Sequence, residues 1–92
     1  MEVVHTHISF WQRENFPYIR AVEISKSEFE ALTVKLERLD IIEWLMWNDR
    51  NGVYSDESSL REFGNIMTRE EGLEIMLRQA EENRVIKNLK ML

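Results

Sequence analysis

The chain has no cysteine, one proline and three glycines among its 92 residues. Without cysteine there are no disulfides and no thiolate zinc sites, a usage that fits a reducing compartment and leads us to expect a cytoplasmic protein. Gly52, Gly64 and Gly72 stand too far apart to cradle a phosphate. No apolar run approaches the roughly 20 residues that span a bilayer, so no membrane segment is expected. The opening "MEVVHTHISF" lacks the basic start and leucine-rich stretch of a signal peptide. H-E-x-x-H and G-x-S-x-G are both missing. Nucleophilic catalysis would have to use serine or threonine with one of only two histidines, in a small domain with little room for a cleft. The sequence therefore points away from an enzyme, and no cofactor is expected.

What is present is the composition of a globular domain: 43% hydrophobic and 32% charged residues. Seventeen acids face twelve bases, for a net charge of -5. The last nine residues, "RVIKNLKML", carry three bases and no acid, whereas the preceding 83 hold 17 acids and 9 bases, a net of -8. Phosphate binding rests on Lys and Arg, so nucleic acid is an unpromising partner. An acidic body suits a basic protein partner, whose approach the charge would speed and orient.

Periodicity divides the chain in two. Val4, Thr6, Ile8 and Phe10 alternate with Val3, His5, His7 and Ser9, as along a half-buried strand. After the break "WQRENFP", the run "YIRAVEIS" can place Tyr18, Val22 and Ile24 on the same face, with Arg20 as a misfit. Residues 3–25 thus read as a β-hairpin. From residue 27 on, the pattern is helical. Ser27 with Glu30, Asp40 with Glu43, Ser59 with Glu62 and Thr68 with Glu71 all have capping-box spacing. Phe29, Leu32, Leu36 and Leu39 form one stripe, with a break expected near Asp40 and a short helix to about Trp47. Gly64 suits a helix end. Leu73, Met76, Leu77 and Ala80 mark the longest helix, in which Gly72 suits close packing. The tail continues the helical pattern, with a third strand as the alternative. The fold class expected is α+β: one domain over residues 1–92, in which an N-terminal hairpin packs against three or four helices.

Four features are candidate sites. The loop "NDRNGVYSDE" is rich in oxygen, but counted as a calcium loop from Asp49 it puts Val53 at position 5, Tyr54 at position 6 and Leu60 at position 12, where an acidic or amide ligand, glycine and glutamate are required. It fits a chain reversal at Asn51-Gly52 better, with Asp49, Tyr54 and Asp56 free to face a partner. His5 and His7 share a strand face, and Glu23 would lie opposite His5 across the hairpin, so a metal site for a small metal-binding enzyme or sensor is the second reading. Next comes "IIEWLMW", six of whose seven residues are apolar. A helix of that kind is either the central element of the domain or covers a second molecule with Trp44, Met46 and Trp47, residue types enriched in interface cores. Last, "FWQRENFPYIR" interleaves Phe10, Trp11, Phe16 and Tyr18 with Arg13 and Arg20, which suits a protein-binding tip or, as the third reading, single-strand stacking, with Trp11 as the exposed member. The function expected is a non-catalytic binding module of adaptor or inhibitor type, acidic and self-associating as a homodimer through the tryptophan helix.

Overall fold

A computed structural model describes residues 8–90, and among them there is no strand. The α+β expectation is thereby overturned: the region read as a hairpin over 3–25 becomes, from residue 10 on, two one-turn helices, α1 (Phe10–Arg13) and α2 (Arg20–Glu23). The burial pattern gives the reason. Ser9, Phe10 and Trp11 are all buried, as are Ala21 and Val22, and consecutive burial does not fit a strand with one face in water. Ser9 caps α1 by accepting from the Gln12 N–H at 3.3 Å. Its far end is a Schellman closure. Asn15 takes φ 50°, the Asn15 N–H donates to Gln12 O at 3.2 Å and the Phe16 N–H to Trp11 O at 2.9 Å, and the Phe16 and Trp11 rings meet at 5.8 Å.

Four further helices follow: α3 (Lys26–Thr33), α4 (Arg38–Asn48), α5 (Asp56–Phe63) and α6 (Arg69–Lys90). The break expected at Asp40 falls at residues 34–37, and Asp40 sits one turn inside α4, where it accepts from the Glu37 N–H at 2.8 Å. The tail considered for a third strand belongs, as far as Lys90, to α6. Arg69 reaches back from the start of α6 to the end of α3, donating to Thr33 O at 2.8 Å and Leu36 O at 3.0 Å. It thus places a cation where a helix dipole favours one. Arg38 grips Asp56 with two bonds of 2.8 Å and adds a third to Met67 O at 3.1 Å, fixing α4 to the start of α5 and to the loop before α6.

The core centres on α4. Ile41, Trp44 and Leu45 are sealed from solvent, as is Met76 of α6. α6 packs against both α4 and α2. α6 comes close to α4 at Gly72, where an added Cβ would stand 3.1 Å from Ile41 Cγ2. The problem of enclosing a helix apolar nearly all round is solved by wrapping, with the N-terminal segment contributing Phe10, Trp11, Ala21 and Val22 to the same cluster. The loop after α4 does reverse the chain, with the Gly52 N–H on Asp49 O at 3.2 Å, but neither Asn51 nor Gly52 has positive φ. Glycine is required at residue 52 because the Tyr54 ring lies over it: a Cβ would stand 2.6 Å from the Tyr54 hydroxyl and nearer still to ring carbons.

Candidate functional site

The aromatic residues that the sequence presents as two separate sets form one row. Ring centroids run Phe10–Trp11 5.4 Å, Trp11–Tyr18 5.5 Å, Tyr18–Trp47 5.4 Å and Trp47–Trp44 6.0 Å. The row is interior. Trp11, expected to be exposed, is buried and donates its indole N–H to Asp40 O at 2.9 Å. Trp44 is fully buried and donates to Tyr18 O at 3.1 Å. Trp47 is half-buried against the core. Both indoles are committed within the fold, so neither Trp11 nor Trp44 can line a binding surface. Arg13 and Arg20 lie 5.9 Å from the Phe10 and Phe16 rings, which leaves only the half-buried Phe16 and Tyr18 as open ring surface beside them.

The loop residues are engaged as well. Asp56 is held by Arg38, whose guanidinium keeps the Asp56 carboxyl below its ordinary value. Tyr54 is buried and donates to Asp49 Oδ2 at 2.7 Å. Its oxygen accepts from Gln79 at 2.9 Å, Gln79 accepts from Asn48 at 2.8 Å, and Asn48 accepts from Asn83 at 2.6 Å. These four bonds run in one direction, from α6 to the Asp49 carboxylate, so each polarises the next. The network clamps the end of α4 onto α6. Of the seven residues picked out for partner binding, only Met46 is strongly exposed.

Both tyrosines of the chain resist ionisation. Tyr18 donates to Glu43 Oε2 at 2.5 Å, and that bond, then burial, then the Glu43 charge push it up to about 12. Tyr54 is raised first by burial and next by its bond to Asp49. A folded-state pKa above the unfolded value, about 10, stabilises the fold below that value, and the contribution is lost as pH rises toward 12. Tyrosinate absorbance and helical circular dichroism are therefore expected to change together on the alkaline side, and Tyr18→Phe to flatten that limb. Free titration of both tyrosines near 10 with helix intact would contradict the assignment.

His5 and His7 lie outside the described residues. Glu23, expected opposite His5 across a hairpin, stands instead on α2. Among the described residues no three His, Cys, Asp or Glu side chains cluster as a metal site requires, and no helix is long and apolar enough to cross a membrane.

The surface feature that the residue-by-residue reading missed is α5. Ser59 is its only buried residue, while Leu60, Phe63 and, just beyond the helix, Ile66 are 55%, 66% and 43% exposed. The segment that carries them is acidic: residues 56–74 contain six acids and two bases, which accounts for most of the net charge. The 3-residue steps from Leu60 to Phe63 to Ile66 and the local acid excess were both visible in the sequence. Comparison with protein-family models, with curated proteins and with solved structures gives no match.

Proposed function

We propose that the protein is a non-catalytic protein-binding module whose docking face is α5 and the turn after it, and that its partner is a different protein with an apolar seat rimmed by Lys and Arg. The observation that carries this reading is the exposure of Leu60 and Phe63 on a helix that buries nothing larger than Ser59, continued by Ile66 just beyond its end. A compact apolar face at the edge of a charged surface is characteristic of interaction sites. Glu57, Glu62, Glu70, Glu71 and Glu74 are all exposed, and this sets the sign of the partner. Two copies meeting on this face would bring like charges together, so the same charge argues for a heterotypic complex over self-association here. Charge then governs encounter and orientation, and the apolar residues hold the complex.

Selection of random displayed peptides on the folded protein is expected to enrich sequences that combine Lys or Arg with aromatic or aliphatic residues, with binding weakened by salt. Phe63→Ser should weaken those peptides about 30-fold, as a hot-spot loss does, while moving stability by no more than about 0.5 kcal/mol, as surface changes do. Selected peptides that lack basic residues, or that bind the variant unchanged, would refute the proposal.

A further inference from the structure

A second site lies between α3 and α6 and does not depend on the α5 face. The cleft there has a volume of about 490 Å³, within the roughly 300–1,000 Å³ of small-molecule sites. Its apolar lining is Phe29, Leu77 and Ala80, with Phe29 and Ala80 buried and Leu77 partly exposed. Its charged lining is Lys26, Arg78 and Arg84 against Glu30 and Glu81, a local excess of one positive charge in a chain of net -5.

Arg84 is the unusual member. Its side chain is 20% exposed and its Nη1 is held by Glu81 at 2.8 Å, with the guanidinium carbon 5.9 Å from the Phe29 ring centre. Its Nε and Nη2 are buried and have no hydrogen-bond partner among the described residues. Those two N–H groups form the edge of the guanidinium that matches a carboxylate bidentately. Buried donors without an acceptor are unfavourable, so an acceptor delivered to that edge is bound with gain.

We infer that this cleft binds a small monoanionic carboxylate with an apolar body, its carboxylate on the Nε/Nη2 edge of Arg84 and its body against Phe29, Leu77 and Ala80. One negative charge balances the lining. A phosphate dianion would overshoot it and face Glu30 and Glu81. Because the edge is closed to solvent, occupancy entails a side-chain rearrangement at the rim.

The test is titration of the intact protein with benzoate, followed by NMR at the Arg84 Nε–H. A saturable shift is expected, with none for benzamide, which has the shape without the charge. Arg84→Lys, which keeps the charge and loses the fork, should weaken benzoate at least about tenfold with helical circular dichroism unchanged. The inference is overturned if the Arg84 Nε–H does not respond in the unaltered protein. It is equally overturned if benzamide binds as well as benzoate, or if inorganic phosphate moves the resonance as strongly, which would indicate a general anion site.

Discussion

Trp44→Ala is expected to cost about 3–5 kcal/mol of folding stability, as truncation of a buried tryptophan does. A domain of this size has about 5–15 kcal/mol in total, so the variant should be partly unfolded at room temperature or unfold at a much lower urea concentration. Two losses combine. The indole is fully enclosed, so its removal leaves a cavity between α4 and the N-terminal segment. Its N–H also donates to Tyr18 O at 3.1 Å, a carbonyl that would keep only its bond from the Ala21 N–H at 3.2 Å, so this second loss is the smaller one. Trp44→Phe separates the two, keeping a ring and losing the bond, and should fall between wild type and alanine. Urea denaturation followed by circular dichroism measures all three. A tryptophan displayed for a partner would behave otherwise: its removal would leave the midpoint in place.

Asp40→Ala is expected to destabilise by about 2–6 kcal/mol, because two backbone donors lose their acceptor at about 1–3 kcal/mol each. The carboxylate is 1% exposed and accepts from Phe10 N–H at 2.9 Å and Glu37 N–H at 2.8 Å. The first bond ties the N-terminal segment to α4 and the second starts α4. Asp40→Asn should cost nearly as much, since one of its two positions becomes an N–H facing an N–H. Hydrogen exchange should show the amides of Phe10 and Glu37 losing protection ahead of α6. If both amides stay protected in the alanine variant, Asp40 is not the tie.

The helical half of the chain was legible to the extent that its signals were local and unambiguous. Thr68 and Glu71 do cap each other at the start of α6, with bonds of 2.9 and 3.1 Å, and Gly64 does end α5 with φ 78°. Elsewhere two boxes overlapped. Ser25 with Glu28 has the same spacing as Ser27 with Glu30, and it is Ser25 that caps α3. A hydrophobic staple breaks the tie: capping at Ser25 puts Ile24 and Phe29 at the staple positions, Phe29 in the core cluster and Ile24 packed against it, whereas capping at Ser27 would put Lys26 and Ala31 there. The same rule favours Leu36 and Ile41 around Glu37, though Leu39 and Trp44 would have served a cap at Asp40 equally well. The N-terminal helices were not legible, for a physical reason. Four residues are too few to display a 3.6-residue period, and so short a helix is unstable alone. α1 exists because Ser9 caps it and Asp40, 30 residues away, receives it. The tryptophans posed the converse difficulty: an apolar helix carries no mark of whether its own chain or another covers it, and only the wrapped N-terminal segment decides.

That wrapping has a consequence for how the chain is made. Residues 9–24 are synthesised before α4 and α6, to which the surfaces they bury against belong. At roughly 5–20 residues per second, α6 follows them out of the ribosome by several seconds, and until it arrives neither α2 nor α4 has its main packing partner. The faces of α2 and α4 that pack on α6 are uncovered throughout that interval. The nascent chain therefore presents a chaperone with an apolar client until α6 docks on α2 and α4, and a chain stalled before α6 would be a degradation substrate and not a smaller folded protein.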